Sequence, residues 1–351
     1  MATTYKTLTN NDVASTRTLL HEAIPITGSI ISGTYGAGSA LGSEPNVKNF
    51  PHEMFQSVYD YPYLSSSANH ILDITCGYAT SSIYAEPSNS HHDKKINVYN
   101  QMAQVLAGYD FSADIREFDE DGNYAAGGNK LTEAVFVNFS RLLVKDEIKK
   151  GTFSIALGGG PTYASPFAVT MTLQDASGNV GYKVNSPAGE YGILYNTTVT
   201  PNVPIGLIFY QAGVMVMNAS GTFTAPGVSL PWLPSGEEAY HVLTGSYSQE
   251  AFANGFRHRI NNISFNNTVE LNSTVYFCRA NHNEFNYSSN PTYVSGSKIQ
   301  VKNVPTDAPV SYITTVGLYS SDNELLAVAK LSEPLKKDPT NEVTLRVRLD
   351  Y

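Results

Sequence analysis

Charged residues are scarce in this chain: Asp, Glu, Lys and Arg together make up 15% of its 351 residues, against about a quarter in an average globular protein. The balance is acidic, with a formal net charge of −9. Because a phosphate-binding face needs clustered Lys and Arg, this balance argues against nucleic acid as a partner. Low charge suits a surface that ends up against neighbouring subunits, and it is equally common in ordinary β-rich proteins.

Long apolar runs are missing as well. No stretch approaches the ~18–20 apolar residues of a membrane-spanning helix, so we expect no membrane partner. The first residues, Met1–Lys6, lack the charged start and apolar stretch of a secretion signal. The sequence therefore predicts a protein that folds in a cytoplasm.

Signatures of catalysis are scarce too. The chain has no Gly-x-Ser-x-Gly motif, and neither of its two cysteines, Cys76 and Cys278, lies in the context of a catalytic nucleophile. Distant cysteines in a cytosolic protein are usually unpaired, so we expect no disulfide. The single tryptophan, Trp232, offers little of a sugar-binding platform, which leaves glycoside hydrolysis by distant carboxylates as a minor alternative. We predict a protein that is not an enzyme and needs no cofactor.

One acidic cluster looks like the start of a calcium loop. In Phe118–Asn123, oxygen ligands alternate at Asp119, Asp121 and Asn123. The glycine comes one place early, and Lys130 occupies the twelfth position, where calcium needs a bidentate Glu. The sequence therefore predicts an ordinary turn at this cluster and no metal.

Three further patterns could bind ligands, and each has a plainer interpretation. His91–Asp93 offers adjacent imidazoles, which lack the spacing that puts two rings on one helix face, so we interpret it as a solvated loop before a helix. Gly158–Gly160 could bring backbone close to a ligand but lacks the residues of a phosphate loop. Gly36–Gly42 misses the dinucleotide-binding spacing by one residue, and we interpret both glycine segments as loops.

Arg257–Arg259 is a small basic island. If it is a strand, it presents two arginines on one face. We expect exposed surface charge there, with pairing to acidic groups on a partner subunit as the alternative.

Aromatic residues and alternating segments are abundant by contrast, with 23 tyrosines and 15 phenylalanines. The final residues Val343–Tyr351 alternate apolar and polar side chains, which predicts a strand buried on one face by Val343, Leu345, Val347 and Leu349. Upstream, Pro309–Tyr319 predicts a strand. A turn follows, and Glu324–Leu331 predicts the strand that returns beside it.

The first 110 residues have a mixed character. Asn11–Ala23 predicts a short helix that stops before Pro25. Gly28–Gly42 is rich in Gly and Ser, which predicts a flexible or extended arm that either crosses onto a neighbour or forms a surface loop. The strongest helix pattern is Lys95–Ala107, followed by Gly108 at a position that favours a left-handed C-terminal cap. Its apolar stripe is expected to pack on a sheet and consists of Val98, Met102, Val105 and Leu106.

Strands and turns dominate after residue 110. Strands are predicted at Ala134–Val144 and Thr152–Leu157, and a hairpin is predicted from Phe167 to Val184. Ile205–Met217 is nearly continuous apolar sequence and predicts central core strands. The proline-rich segment Ala225–Gly236 predicts the boundary between a middle and a C-terminal subdomain.

We therefore expect a mainly β protein with antiparallel sandwich- or barrel-like subdomains and one or two helices in its N-terminal third. The predicted division is a mixed region at 1–110, a β-rich middle domain at 111–230 and a β-rich C-terminal domain at 236–351.

Several segments carry a resemblance to a known class of protein. Tyr312–Tyr319 (YITTVGLY) and Asn323–Pro334 (NELLAVAKLSEP) look like the C-terminal block of virion structural proteins from marine, contractile-tailed bacteriophages, the myoviruses. Phe277–Tyr293 strengthens the resemblance, and Asn138–Asp146 adds to it more weakly. The likeness covers about the last quarter of the chain well and the middle thinly. It implies a virion part of the tail or baseplate type and brings no catalytic motif.

Two functional hypotheses follow. The first is a structural subunit of the tail or baseplate, with a neck or connector position as a variant, which works through interfaces with other phage proteins and with copies of itself in a ring. The second is a receptor-binding or fibre-attachment module, which would hold a host glycan through the Asn-, Tyr- and Ser-rich segment Asn281–Ser295. Both imply a protein that is made in the host cytoplasm and ends up in the virion.

Overall fold

The computed structural model describes most of the chain. The described residues are 5–32, 44–64, 67–82, 91–124, 128–175, 181–199, 202–219, 230–286, 294–295, 298–299, 306 and 309–351. They divide into two compact units: unit 1 consists of Met1–Leu19 and Glu270–Tyr351, and unit 2 of Leu20–Val269. The predicted division into three regions stays a prediction.

The elements are mainly strands, as predicted. Within the described residues the helices are α1 (Gly28–Ser32), α2 (His92–Leu106), α3 (Arg141–Val144), α4 (Ala239–Thr244) and α5 (Gln249–Arg259). The strands are β1 (Val13–Thr27), β2 (Val47–Asn49), β3 (Gln56–Tyr59), β4 (His70–Tyr78), β5 (Glu133–Phe139), β6 (Glu147–Ile148), β7 (Ser154–Gly158), β8 (Thr170–Asp175), β9 (Tyr191–Asn196), β10 (Val203–Phe209), β11 (Val214–Asn218), β12 (Ile260–Ala280), β13 (Val294–Ser295), β14 (Lys298–Ile299), β15 (Ser311–Tyr319), β16 (Leu325–Lys337) and β17 (Val343–Asp350).

Unit 2 is built on an antiparallel sheet with the strand order β12-β7-β8-β9-β10-β11-β5-β4-β3-β2. Side chains alternate across it, so that Val135 and Val137 on β5 enter one apolar core and Phe136 enters a second. Ile74 on β4 and Ile155 on β7 share the first core although their strands lie far apart in the order. The sheet is therefore sandwich-like and is not a closed barrel.

Helix α2 confirms the strongest helix prediction. Val98 and Leu106 are buried in the second core and Met102 is half-buried against it, as the stripe predicted. Val105 is 65% exposed, so its place in the stripe was wrong. Gly108 adopts φ +81° and donates its N–H to the Ala103 carbonyl, which confirms the left-handed cap.

The predicted helix at Asn11–Ala23 was wrong, because these residues form the end of a single 3-10 turn and then strand β1. β1 occupies the end of the strand order beside β12. Pro25 is tolerated there because an edge strand has an outer side on which no N–H is needed. Of the predicted Gly/Ser-rich arm, Gly28–Ser32 is helix α1, and the remainder lies outside the described residues.

The middle predictions had mixed outcomes. Ile205–Met217 contains most of the buried strands β10 and β11, which confirms the core assignment. The predicted strand Ala134–Val144 ends at Phe139, because Ser140 caps helix α3 by accepting the Leu142 N–H. The predicted return strand of the Phe167–Val184 hairpin was wrong, since β8 pairs with β9 instead.

Unit 1 contains the C-terminal strands. β17 pairs with residues 273–280 of β12 and alternates in exposure, which confirms the predicted strand. Among its apolar residues only Val347 is fully buried, while Val343, Leu345 and Leu349 are half-buried. The expectation of four core side chains was therefore too strong.

Candidate interaction surface

The most exposed apolar structure in unit 1 is the pair of strands β15 and β16. They form a two-stranded antiparallel sheet, and no other described strand pairs with either of them. We call residues Ser311–Lys337 the ribbon. Two strands alone make a marginal structure in water, because stability needs a third strand or a packed face.

The two faces of the ribbon differ in exposure. On one face Val316 and Leu318 pair with Ala329 and Ala327, and these side chains are buried or half-buried. On the opposite face Leu326 is 67% exposed and Val328 is 52% exposed. Further exposed apolar side chains on the ribbon are Tyr312, Tyr319, Leu325 and Leu335. Contiguous exposed apolar surface of this kind marks interaction sites on soluble proteins.

The two edge strands of the ribbon carry very different charges. β15 has no charged residue in nine positions. β16 carries Lys330, Glu333 and Lys336 along its exposed length, and also Pro334. Charges and proline are the devices by which proteins prevent unwanted pairing at sheet edges, so β16 is protected and β15 is not.

The ribbon is anchored at its end by a buried lysine. The Lys337 ammonium donates hydrogen bonds to Asn286 Oδ1 at 2.7 Å and to the Asp338 carbonyl at 2.9 Å. At the other end, the rings of Tyr5 and Tyr319 lie 4.8 Å apart. These contacts hold the ribbon at its two ends.

The predicted basic island proved to be buried in unit 2. Arg257 lies on helix α5 rather than on a strand and is fully buried. Its guanidinium pairs with Glu44 at 3.1 Å and donates to Gln56 Oε1 at 2.5 Å and to the Ile31 carbonyl at 2.6 Å. Burial lowers the pKa of Arg257, and the Glu44 carboxylate partly offsets that effect. Both interpretations of an exposed Arg257 were wrong.

Arg259 is also fully buried, and its guanidinium contacts the glycine-rich segment Gly158–Gly160. Its guanidinium donates to the carbonyls of Gly158 at 2.9 Å, Gly160 at 3.2 Å and Pro231 at 2.8 Å. It lies 5.7 Å from the ring of Trp232, a cation–π distance. Gly158 ends strand β7, and Gly159 and Gly160 follow it outside any strand or helix, so the interpretation of this segment as a loop holds for its last two residues. Its carbonyls bind the protein's own arginine.

A third buried cation of unit 2, Lys95, was not foreseen. Its ammonium donates to the carbonyls of Leu243 at 2.6 Å and Gly245 at 2.9 Å, at the C-terminal end of helix α4. A positive charge is favourable there because helix ends carry unpaired carbonyls and a partial negative charge. Burial lowers the pKa of Lys95. The same environment raises the pKa of the neighbouring Cys76 thiol to about 12, which makes it a poor nucleophile at neutral pH.

The acidic cluster has its own internal cation. Asp119 is buried, and the Lys130 ammonium lies 2.5 Å from its carboxylate. Lys130, at the twelfth loop position, thus supplies the positive charge beside Asp119 that a calcium ion would otherwise supply. Asp119 also accepts the Asp121 N–H, as expected for a turn. Burial raises the pKa of Asp119.

The remaining candidates give no site. His91 precedes helix α2 and His92 begins it, so the predicted loop His91–Asp93 ends two residues earlier than expected. Cys76 and Cys278 are both free thiols. Across the described ranges no group of three His, Cys, Asp or Glu side chains could hold a metal, and no helix is long and apolar enough to cross a membrane. Gly36–Gly42 lies outside the described residues, as do residues 287–293 of the segment Asn281–Ser295.

Comparison with known proteins gives no match: no protein-family model, no curated protein and no solved structure matches the chain.

Proposed function

We propose that this chain is a structural subunit of a tailed-phage virion, of the tail or baseplate type. It acts through interfaces with other phage structural proteins and with copies of itself in a ring, and not through catalysis, a cofactor, nucleic acid or a membrane. A neck or connector position is the variant of the same proposal. The protein is made in the host cytoplasm and incorporated into the particle.

The observation that carries the proposal is the exposed ribbon. Leu326 and Val328 protrude from a sheet that has two strands in the described part of the chain, and on these strands Leu318 and Lys337 are the buried residues. In an isolated chain this apolar area stays in contact with water. The chain then forgoes the ~25 cal/mol of stabilisation that each Å2 of apolar area gives when it is buried. Burial against another subunit recovers that free energy, and stable interfaces are large enough to use it.

The phage assignment is supported by the same part of the chain. Tyr312–Tyr319 and Asn323–Pro334 resemble virion structural proteins, and these residues make up nearly all of β15 and β16. The resemblance and the exposed surface therefore coincide, as expected if the ribbon is the part that other subunits recognise.

Quantitative mass spectrometry of purified virions tests the proposal. We expect the chain at a fixed copy number per particle, and in the tail fraction after heads and tails are separated. Recovery with the head–tail junction would favour the neck variant. Absence from mature particles, or turnover of a substrate by the isolated protein, would refute the proposal.

A further inference from the structure

The free edge of β15 has a chemistry that points to a definite partner. Ser311–Tyr319 contains β-branched and aromatic residues, no proline and no charge, which is the composition of a strand that pairs well. Its inner edge is bonded to β16, and its outer edge is bonded to no described strand. The outer edge of β16 lies beside Lys330, Glu333, Pro334 and Lys336.

We propose that β15 pairs antiparallel with β15 of a second copy of this chain, so that two ribbons form one four-stranded sheet around a two-fold axis. The inference deepens the proposed function, on which it rests, by naming one partner of the ribbon as the chain itself. The interface is isologous, because each copy contributes the same strand.

The absence of charge is what selects a second copy as the partner. A two-fold antiparallel pair places the residues next to its axis opposite or diagonal to their own copies, so a lysine near the axis meets a lysine. With Thr315 at the centre, where the register of β15 against β16 shifts, Thr314 and Val316 of each copy flank the axis, and Tyr312 and Leu318 lie further out. These are aromatic, aliphatic and β-branched combinations without repulsion. The same operation on β16, with Glu333 at the centre, would bring Glu333 opposite its own copy and Lys330 opposite Lys336, and it would lose the hydrogen bond at Pro334.

The number of strands favours the same arrangement. β15 and β16 form a sheet of two strands among the described residues. A sheet of four strands passes the threshold of three strands at which a sheet becomes independently stable.

A charge-swap experiment with the full-length chain tests the pairing. Thr314 is exposed on β15, and its two copies are diagonal neighbours in the proposed sheet. Thr314→Glu and Thr314→Lys should each weaken self-association at least about fivefold through like-charge repulsion, while an equimolar mixture of the two variants should restore it. Ser332→Glu, on the protected strand β16, is the matched control and should leave the association unchanged. Sedimentation velocity over a range of protein concentrations measures each species.

The outcomes separate the two proposals. A wild-type chain that stays monomeric at every concentration, or Thr314 variants that associate as well as the wild type, would overturn the pairing and leave the virion assignment standing. A mixture of the variants that stays dissociated while each variant keeps the wild-type circular dichroism spectrum would also overturn it. A two-fold dimer with the expected charge-swap behaviour, from a chain that is absent from virions, would support the pairing and refute the proposed function.

Discussion

Replacing Lys95 by methionine probes whether a buried ammonium holds the end of helix α4. Methionine keeps the length and apolar stem of the side chain and removes its charge. In the wild type the ammonium donates to the carbonyls of Leu243 and Gly245 at 2.6 and 2.9 Å. After the substitution both carbonyls lose a charged donor, at a buried contact for Leu243 and a partly buried one for Gly245.

The expected cost follows from these two contacts. A hydrogen bond to a charged group contributes ~1.5–3 kcal/mol net, so two of them predict a loss of about 3–6 kcal/mol in the free energy of unfolding. For a domain of the size of unit 2 this corresponds to a fall in Tm of roughly 6–12 °C or more. Urea unfolding followed by tryptophan fluorescence is a suitable assay, because Trp232 is buried in the same unit.

The pH dependence gives a second and more specific test. Because burial lowers the pKa of Lys95 below the ordinary lysine value of ~10.4, the unfolded chain binds this proton more tightly than the folded chain between those two pKa values. The Lys95 contribution to stability therefore rises with pH in a window that ends near pH 10.4. The variant lacks this rise. The stability difference between wild type and Lys95→Met should widen as the pH is raised toward that limit.

Lys94 supplies the control for both tests, because its side chain is partly exposed on the same helix and lies 3.5 Å from Glu53. Lys94→Met should cost under ~1 kcal/mol, as is usual for an exposed ion pair. If Lys95→Met is as stable as Lys94→Met, the ammonium does not cap helix α4. A stability difference from the wild type that is flat with pH would show that burial does not lower the pKa of Lys95.

Three further changes have definite expected outcomes. Arg257→Met leaves the buried Glu44 without its guanidinium and should cost about 3–5 kcal/mol in urea unfolding. Gly255→Ala drives a methyl group into the Trp232 indole and should cost about 1–3 kcal/mol, measured by thermal unfolding. Deleting Val343–Tyr351 removes β17 from its ladder and exposes the edge of β12, so the protein should be recovered insoluble or absent from particles.

Each of the three has a matched control. Adding Glu44→Gln to Arg257→Met should recover part of the lost stability, and no recovery would show that the ion pair is not the cause. Gly159→Ala should be nearly neutral, because the nearest atom to its new methyl group lies 3.9 Å away. Equal losses at Gly159 and Gly255 would exclude the indole contact as the reason. Val347→Ala keeps the β17 ladder and should stay soluble at a cost of about 1–2 kcal/mol, whereas a soluble deletion that enters particles would contradict the role of the strand.

The sequence predicted those features that depend on local periodicity. Helix α2, its cap at Gly108 and the strand β17 follow from spacing alone, because apolar residues at 3.6 or 2 positions have few alternatives. β1 was mistaken for a helix since its leucines suggested a helical face, while pairing beside β12 favoured an extended strand. The predicted partner of β8 was wrong for the same kind of reason: the turn after Asp175 indicated a local return, and strand pairing was decided by the rest of the sheet.

The buried cations show where sequence reasoning stops. Arg257 and Arg259 looked like surface charge because arginine is mostly exposed, and their acceptors, such as Glu44 and the Gly158 carbonyl, are remote in sequence. One local signal was present. Ser248 followed by Glu250 is a helix start, and the basic residues up to Arg259 are typical of a helix end. That signal would have placed helix α5, although not what its arginines contact.

The borders of both units fall inside strands, between Leu19 and Leu20 on β1 and between Val269 and Glu270 on β12. A gene fragment that encodes unit 2 alone would therefore have to begin and end in the middle of extended, hydrogen-bonded backbone. Strands that are cut in this way leave backbone N–H and C=O groups unpaired, and such groups promote aggregation. A smaller version of this protein should be made by shortening its loops, because the two units divide within strands and not at a linker.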